Sequence, residues 1–173
     1  MKKNQGLTLA ELVITSAILA MVFSSVIGAS IMLRDVCFAS IKAHELQRSV
    51  DLIVEYIIRH GPGETSYNGL RSAASLDLSG YATGEGIDFI GLDGVERRYY
   101  VQGNSIIYES PTIPSGTRTV YTAAPGVVIS LLFSHASMDG QTVSITVGLS
   151  QTIRNKAVSG SLVTWVNLMN ASQ

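Results

Sequence analysis

Leu7 to Leu33 narrows what this chain can become more than any other stretch. These 27 consecutive residues hold one ionisable side chain, the carboxylate of Glu11. The remainder are apolar, small or hydroxylic. Leu12 to Leu33 is uncharged throughout, and as a helix it would run about 33 Å, enough to cross a hydrocarbon core of about 30 Å. Lys2 and Lys3 precede the stretch, while Arg34 and Asp35 cancel just beyond it. The positive-inside bias therefore places the N-terminus in the cytoplasm and the remainder of the chain outside, as a single-pass inner-membrane protein.

With 173 residues the chain suits one folded domain plus one membrane segment. A formal net charge of −1 gives no reason to expect a polyanionic partner, so no nucleic acid is predicted. Cys37 is the only cysteine, which excludes an intrachain disulfide.

Three readings of the apolar stretch compete. A cleaved secretory signal would use the basic start and the small residues Gly28-Ala29-Ser30, but its apolar region would be unusually long. A plain single-span anchor is the second. Neither accounts for Glu11, because a carboxylate in lipid costs about 2.5–3.5 kcal/mol on insertion scales. The third reading starts from Gly6 followed by Leu7-Thr8-Leu9-Ala10-Glu11-Leu12-Val13. That run resembles the N-terminal signal of type IV prepilins and type II secretion pseudopilins.

The resemblance implies a prepilin peptidase that cuts after the glycine, N-methylation of the new first residue, and a glutamate at the fifth mature position. On this chain the cut falls between Gly6 and Leu7, Leu7 becomes the methylated N-terminus, and Glu11 is the glutamate. Leu7 and Glu11 lie four apart and so share a helix face. In lipid Glu11 can reach its own amine or the interface; in a filament it can pair with the amine of a neighbouring subunit, where low dielectric penalises a wrong register. The chain departs from the family at several positions. Leu7 stands where phenylalanine is usual, Ala10 replaces a larger aliphatic residue, and Gly28 occupies the position where major pilins often carry a helix-melting proline. The pair of cysteines that closes the C-terminal loop of major type IVa pilins is missing, which favours a minor component.

Past the membrane the apolar residues Val36, Ala39, Ala43, Leu46, Val50, Ile53 and Ile57 alternate steps of three and four, as on one face of a helix. Val54 and Ile58 widen the stripe, and Glu45, Arg48, Glu55 and Arg59 lie opposite. A stripe this wide suits packing on a sheet better than a coiled coil. Gly61-Pro62-Gly63 is a stop signal, giving a helix from Leu7 to His60 about 80 Å long. Residues 64–86 read as loop. Ile87–Ile90, Val95–Val101 and Ser105–Tyr108 then form a meander with turns at Asp93-Gly94 and Gly103-Asn104. Pro111 and Pro114 interrupt it. Val127–Phe133 and Thr142–Leu149 form the clearest strand pair, joined through Asp139-Gly140. Leu162–Leu168 is a final strand with Trp165 as a packing residue.

The expected fold is therefore α+β: a long N-terminal helix, half membrane and half amphipathic, packed on an antiparallel sheet, as in pilins. Its expected divisions are a leader at 1–6, a transmembrane or filament-core helix half at 7–33, an amphipathic half at 34–60, and a strand-rich domain at 61–173.

Little chemistry is legible. His44, His60 and His135 lack ligand spacing, and Cys37 has no evident base, so a packing or incidental thiol is expected. Asp93 and Asp139 read as turn residues. Some pseudopilins bind calcium in loops, but the carboxylates here are too dispersed to assign a metal site. Gly80, Gly84 and Gly86 do not form a phosphate loop. Arg97-Arg98 beside Tyr99-Tyr100 suggests nucleic acid at first sight, yet alternation sends neighbours to opposite faces, as in an ordinary solvated strand. No cofactor and no catalytic residue is expected.

The expected function is a minor pseudopilin or pilin that is held in the inner membrane and assembled into a secretion pseudopilus or type IV pilus. Its implied partners are other pilin subunits, the prepilin peptidase, the inner-membrane assembly platform and the lipid bilayer. Among minor types, Arg98-Tyr99-Tyr100-Val101 and Ile106-Ile107-Tyr108-Glu109 resemble the paired strands of the J-type pseudopilin and its W-type pilus counterpart. The alternative is a filament-associated adhesin or DNA-uptake receptor on the same scaffold.

Overall fold

A single α-helix, α1, runs without interruption from Leu9 to Arg59 in the computed structural model, which describes residues 8–59, 69–81, 83–135 and 142–168. Gly28 does not break it, despite costing about 1 kcal/mol relative to alanine in a helix interior. The Gly61-Pro62-Gly63 stop lies outside the described residues. The chain forms two compact units, Met1–Ile41 and Lys42–Gln173.

In the second unit the helix buries Leu46, Val50, Ile53, Val54 and Ile57. These are the later members of the expected stripe. Val36 is exposed, and Ala39 and Ala43 are only half-buried, so the packed part begins at Leu46. Glu45, Arg48, Glu55 and Arg59 face solvent as expected, with surface ion pairs Lys42–Glu45 at 2.5 Å and Glu55–Arg59 at 3.5 Å.

Two antiparallel sheets accompany the helix, where the sequence suggested one. The first is a five-stranded meander in chain order: β1 (Ala73–Asp77), β2 (Gly86–Gly91), β3 (Glu96–Gln102), β4 (Ser105–Glu109) and β5 (Thr117–Thr122). The second has three strands, again in chain order: β6 (Val127–His135), β7 (Thr142–Ile153) and β8 (Lys156–Asn167). A hydrogen bond from the Phe133 amide to the Gly84 carbonyl, 2.8 Å, links β6 to the segment leading into β2.

The expected strands at 87–90, 95–101, 105–108, 127–133 and 142–149 are all present. Residues 64–86 are not loop throughout, because a 3₁₀ turn at Leu70–Ser72 leads directly into β1. β5 also went unread. Its six residues are all exposed or half-buried, so it lacks the apolar alternation by which strands are recognised. The final hairpin is longer than Leu162–Leu168, since β7 and β8 pair all the way to Ile153 and Lys156. Arg154 and Asn155 turn it with φ of 47° and 65°, the left-handed pair that a two-residue hairpin of matching twist requires.

Two glycines bring other backbone against that of α1, one in β8 and one just before the 3₁₀ turn. A Cβ on Gly160 of β8 would lie 2.6 Å from the Gln47 nitrogen, and one on Gly69 would lie 2.3 Å from the Ile58 oxygen. Gln47 completes the first contact by accepting a hydrogen bond from the Ser161 amide at 3.2 Å. The core between helix and sheets is filled from Ile87, Phe89, Tyr99, Ile106 and Tyr108 on the larger sheet and from Leu131, Val143, Ile145, Val147 and Leu149 on the smaller. Phe89 stacks on Tyr99 at 5.7 Å between centroids, and Tyr99 meets Tyr108 at 4.8 Å.

Two expectations fail here. Arg97 is not solvated: it is 1 % exposed, pointing into the inner side of β3. Alternation does send Arg97 and Arg98 to opposite faces, but the inner position receives the charge. The buried guanidinium is held bidentately by Asp93, at 2.8 Å to Oδ1 and 2.6 Å to Oδ2, and also donates to the Val95 carbonyl at 3.0 Å. Gly91 makes room for it, since a Cβ there would lie 2.4 Å from Nη1. Asp93 is thus both a turn residue and a counterion, and the bond from Arg97 holds its carboxyl below the usual carboxylate range. Trp165 is the second. It is 65 % exposed, because the buried partners Val158 and Val166 fix the parity of β8 and turn Trp165 outward.

Candidate functional site

The apolar half of α1 begins with a reciprocal cap. The Thr8 amide donates to Glu11 Oε2 at 2.9 Å, the Thr8 hydroxyl donates to the same oxygen at 3.0 Å, and the Glu11 amide donates back to Thr8 Oγ1 at 3.4 Å. Threonine followed three residues later by glutamate is the capping-box pattern, which satisfies amides that the first helical turn leaves without carbonyl partners. Glu11 therefore sits at the electropositive end of the helix, where a negative charge is favoured.

Beyond the cap four hydroxyls of the apolar run bond back to the helix. Thr15 donates its hydroxyl to the Glu11 carbonyl. Ser16, Ser25 and Ser30 donate theirs to the carbonyls of Val13, Val22 and Val26, each at 2.8 Å. In hydrocarbon an unmet hydroxyl or backbone group is costly, and back-bonding to the preceding turn removes that cost. No residue of the apolar window is buried against the rest of the chain, and the helix is long and apolar enough to cross a membrane. Leu12, Ile14, Ile18, Phe23, Ile27 and Ile31 are all more than half exposed, so this surface awaits a non-aqueous environment.

Of the expected site residues, Glu11 lies in this first turn. Gly6 and Leu7 lie outside the described residues. Sequence reasoning found Glu11 by its isolation in an apolar run but did not use Thr8, although the threonine–glutamate spacing was there to read.

Among the described residues the folded domain offers no comparable constellation. Cys37 and His44 are exposed on α1, His135 is exposed at the end of β6, and His60 lies outside the described residues. Among the described residues no group of histidine, cysteine and carboxylate side chains is placed to hold a metal ion. On the outer face of the larger sheet, Arg98 lies between Asp88 at 3.6 Å, Glu96 at 3.9 Å and Glu109 at 4.0 Å. Tyr81 donates to Asp88 at 2.9 Å, and burial together with that bond pushes its phenol up to about 12. These are mutually satisfied surface groups with no nucleophile or free base among them.

Residues 1–27 match the family model described as the prokaryotic N-terminal methylation motif. No curated protein and no solved structure matches the chain. The fold is α+β and pilin-like, a single N-terminal helix set against antiparallel sheets. The match is confined to the N-terminal signal that type IV pilins and pseudopilins carry.

Proposed function

We propose that the chain is a minor pseudopilin or minor pilin, cut after Gly6, methylated on Leu7 and held in the inner membrane by α1 until it enters a filament. Its folded domain lies on the outer side of that membrane. The observation that carries this reading is the methylation motif over residues 1–27, with Glu11 in the first turn of a helix whose next stretch, Leu12 to Leu33, is uncharged and exposed. Cleavage frees an α-amine one residue before Thr8. The capping box holds the Glu11 carboxylate toward that end of the helix, so it is already oriented for the amine of an adjoining subunit. Pairing in a low-dielectric core then reports correct register, because a displaced subunit leaves one or both charges without a partner. Within this class the strand-rich domain fits a J-type pseudopilin or its W-type pilus counterpart.

Glu11→Ala tests the role of the carboxylate. Processing should persist, because Gly6 is untouched, and membrane insertion should be unchanged or improved as the desolvation cost disappears. Incorporation should fall sharply when processed protein in membranes is compared with protein in sheared filaments from the host. Normal processing together with normal incorporation would eliminate the docking role.

A further inference from the structure

At the C-terminal end of β8 an open cleft of about 340 Å³ is lined by Ile58, Arg71, Trp165, Val166, Asn167 and Leu168. Its walls are mixed, with Asn167 among the apolar residues, and among the described lining residues the one charge is the Arg71 guanidinium. Arg71 is exposed in the 3₁₀ turn and has no ion-pair partner among the described residues. Arg71 stands beside the exposed Trp165, whereas Arg98 on the larger sheet is surrounded by carboxylates.

The strand bordering the cleft is also open. The Ser161 amide bonds to Gln47 rather than to β7, so by alternation the main-chain groups of Val163 and Trp165 also point away from β7. No described residue pairs with them. Gln47 meets the edge at Ser161, and the 3₁₀ turn lies near the strand; among the described residues no main-chain hydrogen bond reaches Val163 or Trp165 from that side. Edge strands are commonly protected by charge or proline, yet β8 carries neither after Lys156. The side chains of Val163 and Trp165, 48 % and 65 % exposed, stand on the face that an added strand would extend.

We infer that this cleft and the free edge of β8 form a docking site for an extended segment of a partner protein, a strand of apolar and small uncharged residues that carries one carboxylate for Arg71. Main-chain hydrogen bonds to Val163 and Trp165 supply the pairing, Trp165 and Ile58 cover the apolar side chains, and Arg71 selects the charge. A second copy of β8 is the wrong occupant, because Lys156–Asn167 contains no acidic residue to meet Arg71. This inference concerns the folded domain and goes beyond the assembly role of α1.

Trp165 is the only tryptophan in the chain, so its emission reports the cleft without a label. The full chain in detergent micelles is titrated with blocked six-residue peptides of alternating valine and threonine carrying one central glutamate, glutamine or lysine. The glutamate peptide should shift Trp165 emission saturably. The lysine peptide should bind about tenfold or more weakly, the scale of losing one charge-assisted hydrogen bond. Methylating alternate backbone amides of the glutamate peptide should abolish the shift. Arg71→Glu should reverse the preference in favour of lysine, and Arg71→Gln should erase it, each with an unchanged thermal melt because the side chain is exposed. Equal affinity for the glutamate and lysine peptides, retention of binding by the methylated peptide, or no saturable shift would each overturn the inference.

Discussion

Removing the carboxylate of Asp93 should damage the domain more than removing the arginine it serves. The Arg97 side chain is wholly buried, whereas that of Asp93 is 41 % exposed. In Asp93→Ala the guanidinium loses both bidentate bonds and cannot follow them into water. Breaking a buried pair in this way typically costs about 3–5 kcal/mol. The bond to the Val95 carbonyl survives and water can enter from the exposed side of Asp93, so the cost should fall at or below the bottom of that range, about 2–3 kcal/mol. For a unit of about 130 residues this corresponds to a drop in Tm of roughly 6–12 °C. Arg97→Met removes the buried charge, replaces it with an apolar chain, and leaves an Asp93 that water can solvate, so its cost should be about 1 kcal/mol or less. The double variant should be less destabilised than the sum of the two, with a coupling of about 1–3 kcal/mol. Thermal melts and urea titrations of the three variants in detergent measure all of this. The pH dependence supplies a second check. The folded-state pKa of Asp93 is depressed by Arg97, so its contribution is present above the unfolded carboxylate value near 4 and is lost as pH falls through the folded value. Asp93→Ala should flatten that acid limb. If Arg97→Met proved as damaging as Asp93→Ala, or if Asp93→Ala left Tm unchanged, the buried-counterion account would be wrong.

Three further outcomes follow from the packing and the processing signal. Val50→Asp places an unpaired charge at a position with no exposure and should unfold the domain by circular dichroism, whereas Val36→Asp, at an exposed position, should leave the melt near that of the parent. Gly160→Ala drives a methyl group into the Gln47 backbone and should lower Tm by several degrees, while Gly94→Ala, with open space but φ of 74°, should cost about 1 kcal/mol from strain alone. Gly6→Ala should leave the leader attached, seen as an unshifted band beside the processed parent on a gel.

The architecture was largely legible because its signals are periodic. The three- and four-residue steps from Leu46 to Ile57 marked the buried helix face, and Val143, Ile145, Val147 and Leu149 marked the inner side of β7. What escaped notice lacked such a signal. β5 buries none of its side chains, and β1 is a short run of small and polar residues, so neither stands out from a loop. Arg97 was misread because charge normally means solvent; its burial depends on Asp93 four residues earlier and on the missing Cβ of Gly91, a combination visible only once β2 and β3 are paired. Trp165 was misread because size suggests burial, while its position in the alternation of β8 sends it outward. At the candidate site, Glu11 was conspicuous as the lone charge among 27 residues. Thr8 was inconspicuous as one hydroxyl among several, although it holds that charge in place.

The central claim, that this chain is processed and assembled as a pilin-type subunit, is tested most directly by the intact mass of the protein extracted from its host membrane. The account predicts a single species beginning at Leu7, with the first six residues gone and one methyl group added at the new amine. A species beginning near Ala29 or Ser30 would mean a secretory signal instead, and a chain retaining Met1 through Gly6 would mean a plain anchor.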